Sequence, residues 1–175
     1  MQLSHIGIFV QDFEQMLEFY RDTLGFVVTD IERSDERHIV FLTTDPAIHH
    51  QLVLVKGRPA DVTSRRFVNQ IAFAVDDLPA LKSAYARLVK SDATELDPIT
   101  HGTTWSVYFR DPEDNRAEVY CDTPWYITQP HRTPIDLTQA EDVLYAQTAA
   151  LVRTQPGFKS RKQFDAEVEL LLRRN

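Results

Sequence analysis

The chain has 175 residues, 43% of them hydrophobic and 26% charged, with a formal net charge of −7. That length holds one domain or two small modules sharing a core, and the acidic balance argues against a nucleic-acid partner, which would demand a basic face. No apolar run approaches a membrane span, and the N-terminus MQLSHIGIFV lacks a basic flank and a cleavage site, so the expectation is a cytoplasmic protein with no membrane partner. The single cysteine, Cys121, cannot form an internal disulfide and reads as a small buried hydrophobe.

Taken in order, the alternation over residues 3–10 predicts a strand with Leu3, His5, Gly7 and Phe9 on one face and Ser4, Ile6, Ile8 and Val10 on the other. Asp12 with Gln15 makes a capping-box pattern, and Phe13, Met16, Leu17, Tyr20 and Leu24 follow at helical spacing until Gly25. Residues 26–31, 38–43 and 51–55 read as three further strands, which gives β-α-β-β-β.

The order then repeats. Val68-Asn69-Gln70-Ile71-Ala72-Phe73 echoes Leu3-Ser4-His5-Ile6-Gly7-Ile8 at an offset of 65, and Leu78, Leu81, Tyr85, Leu88 and Val89 line a second helix. A weak strand near residues 94–96 and a hairpin complete the second copy. In that hairpin Asp111-Pro112-Glu113-Asp114-Asn115 supplies the turn formers between two apolar runs. An offset of 67 aligns Gln51 with Glu118 and Phe41 with Tyr108. The expected organisation is a first module over 1–57, a linker over 58–66, a second module over 67–122, and a C-terminal loop and helical extension over 123–175. The fold class is α+β: paired βαβββ modules form a curved mixed sheet with a central cleft, followed by a helical tail.

Within the tail, residues 122–134 read as a loop. Two helices are expected after it, with Thr138/Glu141 and Ser160/Gln163 as capping boxes and Pro156-Gly157 between them. Their apolar residues (Leu144, Leu151, Phe164, Val168 and Leu171) need cover, from the chain itself or from the second subunit of a homodimer, the latter being the expectation.

On the hairpin alone, a solvent-facing strand side accounts for Glu118 as well as a site does. The repeat adds that His5 and Gln70 share one equivalent position and Gln51 and Glu118 another, all four turned away from the helix-packing faces. Imidazole, carboxylate and amide oxygen together suit a borderline divalent metal such as iron, manganese, nickel or zinc. His49-His50 reads as an exposed loop or strand edge, although a slip of one residue would turn His50 inward in place of Gln51.

The segments His5-Ile6-Gly7-Ile8, Phe19-Tyr20-Arg21-Asp22-Thr23-Leu24-Gly25-Phe26 and Gln70-Ile71-Ala72-Phe73 resemble the vicinal oxygen chelate superfamily. So do His101-Gly102, Tyr108-Phe109-Arg110-Asp111-Pro112 and Asn115-Arg116-Ala117-Glu118. The group comprises glyoxalase I, type I extradiol dioxygenases, and fosfomycin- and bleomycin-resistance proteins, and the resemblance covers roughly residues 1–122. It is closest to the extradiol enzymes. That resemblance implies His5, Gln70 and Glu118 as holders of a ferrous ion, Tyr108 beside the substrate, and His101 as an acid/base. Gln70 departs from the histidine expected at its position, and a Gln51-containing set of four ligands follows the glyoxalase pattern instead. The implied activity is ring cleavage of a catechol-type aromatic. The alternatives are a glyoxalase-like isomerase or lyase acting on an oxoacid, or a metal-free small-molecule-binding protein of the same fold.

Overall fold

The computed structural model describes residues 4–35, 38–61 and 68–173. Leu3, residues 62–67 (most of the expected linker and the start of the second module) and the side chain of Leu171 lie outside the described residues.

The opening alternation forms β1 (Ile6–Val10), in which Ile6, Ile8 and Val10 are covered while His5, Gly7 and Phe9 are exposed. The Asp12 side chain then accepts the Gln15 N–H at 3.0 Å, capping α1 (Phe13–Glu18). The helix runs on as one π-helical segment, Phe19–Thr23, and ends where Gly25 takes φ 82°, a left-handed conformation suited to glycine. The strands that follow are β2 (Val27–Arg33), β3 (His38–Thr43) and β4 (Leu52–Lys56). Their sheet has the order β1-β4-β3-β2, with β1 parallel to β4 and the other pairs antiparallel.

The second copy folds in the same sequence. It consists of β5 (Ile71–Ala74), α2 (Leu78–Leu88), β6 (Thr94–Thr100), β7 (Thr104–Arg110) and β8 (Arg116–Asp122). Asp77 caps α2 by accepting the Ala80 N–H at 2.9 Å. The sheet order β6-β7-β8-β5 is that of the first sheet read in reverse, so the repeat in the sequence is a repeat in topology. β6 is longer than the expected weak strand and continues through Pro98 to Thr100.

Residues 122–134 are not wholly loop. β9 (Trp125–Tyr126) pairs with β11 (Lys159–Ser160), and β10 (Thr133–Pro134) extends the second sheet along β6. The last helices are α3 (Glu141–Arg153) and α4 (Arg161–Leu172). Ser160 and Gln163 make the reciprocal box: the Ser160 N–H donates to Gln163 Oε1 at 3.0 Å and the Gln163 N–H donates to Ser160 Oγ at 3.2 Å. Thr138 does not cap α3. Its hydroxyl and N–H both donate to Asp136, at 2.6 and 2.9 Å, in a competing local turn, and Ala140 is the N-cap with no side-chain bond.

The chain divides into two compact units, one of Met1–Ile71, Arg87–Glu95 and Phe109–Arg116, the other of Ala72–Ala86, Leu96–Tyr108 and Ala117–Asn175. The tip of the β7–β8 hairpin thus belongs with the first module. There Asp111 is 2% exposed, and its carboxylate accepts Tyr20 Oη–H at 3.1 Å, Asn115 Nδ2–H at 2.7 Å and the N–H groups of Glu113 and Asn115 at 3.0 and 2.9 Å. Burial nevertheless pushes its carboxyl above the usual range, and burial together with Asp111 pushes the Tyr20 hydroxyl well up.

In the second unit, α3 buries Leu144, Thr148 and Val152, and Trp105 on β7 donates its indole N–H to Thr148 Oγ1 at 2.8 Å. The α3 face is therefore covered within the chain, the placement ranked second from the sequence. Replacing Thr148 by Val leaves the fully buried Trp105 N–H without its acceptor, and the expected cost is about 1–3 kcal/mol in denaturant-midpoint measurements.

Candidate functional site

The side chains singled out by the repeat fall in both units, and each unit organises its own share. In the first, His5 stands exposed just ahead of β1, and its ring lies 4.4 Å from that of His50, tilted by 57°. His50 packs against Phe41 at 5.1 Å, edge to face, and its Nδ1 is 2.8 Å from Nδ1 of His49. His49 Nε2 in turn lies 2.7 Å from Asp30 Oδ2. The His50 imidazole is held below its ordinary value by its partial burial first, then by His5 and His49. No register slip occurs: β4 starts at Leu52, and His49-His50 sits in the loop before it.

Gln51 is turned to a structural task. Its amide oxygen accepts the Thr44 N–H at 2.8 Å, the Thr44 hydroxyl at 2.9 Å and the Thr43 hydroxyl at 3.3 Å, tying the end of β3 to the start of β4. A carbonyl oxygen has two lone pairs, so this engagement consumes its acceptor capacity. Gln70 is half-buried immediately before β5.

In the second unit, Glu118 lies on β8 between Ala117 and Val119 and is 6% exposed, so the solvent-facing reading of this carboxylate does not hold. Tyr108 on β7 is 8% exposed, and its hydroxyl lies 3.1 Å from His101 Nε2. The other ring nitrogen, His101 Nδ1, is 2.6 Å from the carbonyl oxygen of His131. A carbonyl only accepts, so the Nδ1 position carries a proton and neutral His101 offers the Nε2 lone pair to the Tyr108 hydroxyl. The 101–131 contact was missed in the sequence, because nothing local in a proline-flanked histidine announces it.

The turn that presents His101 depends on Gly102, whose φ is 77°. A Cβ there would stand 2.4 and 2.8 Å from Ile127 side-chain atoms and 3.1 Å from Val152. The glycine of the His-Gly pair is thus dictated by backbone conformation and close packing.

Among the described residues, no three His, Cys, Asp or Glu side chains come together as a metal cluster. The donor set expected from the repeat contains just His5 and Glu118 of those types, the remainder being amides. Its chemistry of imidazole, buried carboxylate and amide oxygen nevertheless fits a borderline divalent ion. Cys121, fully buried, is no candidate nucleophile, since burial pushes its thiol up to about 12, with Asp77 and Asp122 adding to the effect.

Two outcomes follow. Gly102→Ala combines a left-handed backbone with overpacking and should destabilise by about 2–4 kcal/mol, read from the shift in urea midpoint. Native protein at pH 8 should leave Cys121 unlabelled by iodoacetamide, whereas labelling before unfolding would contradict its burial.

Comparison with known proteins gives concordant results. The chain is 29% identical over 125 residues to biphenyl-2,3-diol 1,2-dioxygenase 3 of Rhodococcus globerulus, covering 69% of this chain and 63% of that protein. It is 30% identical over 149 residues to metapyrocatechase 2 of Cupriavidus necator, covering 82% of this chain and 43% of that one. The chain therefore spans less than two thirds of the length of these relatives. A glyoxylase/bleomycin resistance protein/dioxygenase domain from Frankia sp. EAN1pec shares the fold, with a TM-score of 0.60 at 21% identity over 70% of this chain and 93% of that domain. With residues 2–119 matching the family model, the repeated β-α-β-β-β topology is that of the Glyoxalase/Bleomycin resistance protein/Dioxygenase superfamily, to which this chain belongs.

Proposed function

We propose that the chain is a metal-dependent enzyme of the extradiol type, cleaving a catechol-like aromatic ring. The observation that carries this reading is the His101–Tyr108 pair. A histidine of fixed tautomer bonds at 3.1 Å to a nearly buried tyrosine hydroxyl, on the strand that leads into the hairpin of Glu118. Similarity to a biphenyl-diol dioxygenase and to a metapyrocatechase gives the same direction, and both names denote enzymes of aromatic diols.

The ion would be held by His5, Gln70 and Glu118, with Fe(II) the first choice for chemistry that consumes dioxygen. When bound, it would supply Lewis acidity at the two vicinal oxygens of the substrate and a place for dioxygen. The chain's own part is proton management. His101 Nε2 can take the Tyr108 proton as the Tyr108 oxygen receives one from a substrate hydroxyl, and can return it along the same path, while the His131 carbonyl keeps the ring oriented through Nδ1. With Nδ1 fixed as a donor, the proton can enter and leave only at Nε2.

A second reading, a glyoxalase-like isomerase or lyase or a metal-free binding protein, is favoured by one residue. Gln70 places a neutral amide where the extradiol pattern has an imidazole, and an amide oxygen is a weaker donor to Fe(II). Cytoplasmic location and homodimer formation belong to the proposal. On location, among the described residues no helix is long and apolar enough to cross a membrane.

Oxygen uptake by Fe(II)-loaded protein over a panel of catechols, followed by absorbance of the ring-opened product, tests the reading. Turnover is expected, and His101→Gln should lower it by about 10²–10⁴-fold, with Tyr108→Phe in the same direction. Glu118→Ala should lose the metal while staying folded. Gln70→His should tighten Fe(II) binding. Absence of uptake with every catechol, alongside enediolate-type isomerisation of an oxoaldehyde adduct, would establish the second reading in its place.

A further inference from the structure

Resting on the reading that this chain binds a divalent metal, we propose that His50, rather than Gln51, is the donor from the loop leading into β4. In this arrangement Asp30 and His49 position it, and His50 pairs with His5 to form a two-imidazole half-site for a borderline divalent ion.

Three observations within the first unit carry this. The first is the state of Gln51. Its amide oxygen already accepts the N–H and hydroxyl of Thr44, with the Thr43 hydroxyl shared between it and the Asp45 carbonyl, so using it as a ligand would strip an acceptor from the β3–β4 connection. An amide nitrogen is no metal donor, so no second atom of Gln51 can take over.

The second is the chain Asp30–His49–His50. An ionised carboxylate only accepts, so at 2.7 Å from Asp30 Oδ2 the Nε2 of His49 carries a proton. With both rings neutral, His49 Nδ1 is then a lone pair, and the 2.8 Å contact between the two Nδ1 atoms requires the proton to sit on His50. His50 is thereby fixed as the Nδ1–H tautomer, with its Nε2 lone pair available. The arrangement is the carboxylate–histidine support that orients imidazole ligands in metal sites, lengthened here by one ring.

The third is placement. The His50 ring is braced edge to face by Phe41 at 5.1 Å and lies 4.4 Å from the ring of His5. Two imidazoles bound to one ion at about 2.0–2.1 Å hold their donor nitrogens roughly 3 Å apart, a separation that ring rotations can reach from this distance. Among the described residues His50 Nε2 has no hydrogen-bond partner, and the hydrogen-bonding contact of His5 is a long one from Nδ1 to Ser4 Oγ at 3.4 Å. Neither Nε2 is thereby engaged in a hydrogen bond among the described residues.

The test uses the full chain, first metal-free at pH 8 and then titrated with Ni(II) by calorimetry. Long-range ¹H–¹⁵N spectra of the imidazoles should show His50 as the Nδ1–H tautomer in the metal-free protein, and both Asp30→Asn and His49→Phe should shift it toward the tautomer mixture of a free histidine. A purely structural role for those two residues would leave that signature unmoved. His50→Gln should weaken Ni(II) binding by about 10–100-fold, and Asp30→Asn by a smaller factor in the same direction. Gln51→Asn should weaken it less than His50→Gln does. The proposal is overturned if His50 is the Nε2–H tautomer, or if Gln51→Asn costs more affinity than His50→Gln. Metal lost on Glu118→Ala but retained on His50→Gln would sink the proposal and leave the metal-enzyme reading standing. Metal lost on His50→Gln with no turnover of any catechol would do the reverse. Wild-type protein that takes up no Ni(II) overturns both.

Discussion

The buried carboxylate of Asp111 is the constraint on which the first unit turns. A five-residue turn rich in charge would ordinarily lie in solvent, yet Asp111 is almost completely buried and its oxygens are spent on Tyr20, Asn115 and the N–H groups of Glu113 and Asn115. Each of those bonds favours the ionised form, but burial outweighs them and the carboxyl still sits above its usual range. Next to it, Glu113 receives the N–H groups of Gln11 and Asp12 at 2.6 and 2.8 Å and pairs with Arg58 at 3.2 Å, both side chains of that pair being only 8% exposed. A pair so enclosed contributes little net stability beyond an apolar substitute, but removing one partner strands a buried charge at a cost of about 3–5 kcal/mol. The turn is therefore over-determined, and it joins the strand of Tyr108 to the strand of Glu118.

Much of this was legible in the sequence because the fold is written twice. The same alternation of polar and apolar residues begins at His5 and at Gln70, and each copy leaves the helix-facing residues Ile6/Ile8 and Ile71/Phe73 in register. Periodicity and capping are local signals, and the Asp12 and Ser160 caps are found where local reasoning puts them. The Thr138 cap failed for an equally local reason, since Asp136 two residues earlier offers a stronger acceptor to the same hydroxyl. β10 was missed because Thr133–Pro134 has no β alternation of its own and is a strand only through its pairing with Ile99 and Thr100.

The candidate residues could be named from the sequence, but the bonds they make could not. His101, Tyr108 and Glu118 could be picked out by position, but the carbonyl that orients His101 comes from His131, thirty residues on, and no spacing rule links them. Gln51 shows the opposite failure. By register it is the counterpart of Glu118, but its amide is committed to Thr43 and Thr44, and whether a polar side chain is spent on its own loop or offered to a ligand depends on hydrogen-bond partners that a periodic pattern does not encode.

The two modules also differ where the repeat aligns them, and the difference divides their chemistry. Phe41 stands where the second module has Tyr108, and each ring meets a histidine at a steep angle: Phe41 with His50 at 68°, Tyr108 with His101 at 88°. In the second module the aromatic ring carries a hydroxyl, and the histidine nitrogen facing it can pass a proton along that bond. In the first the ring has none, so it can only brace, and the proton of His50 is directed backwards to His49 and Asp30. The two histidines themselves are not aligned by the repeat: His50 precedes β4, whereas His101 lies between β6 and β7, so the aligned rings meet partners drawn from different loops. At the aligned position the Tyr108 hydroxyl gives its histidine a hydrogen-bond partner that the Phe41 ring cannot offer.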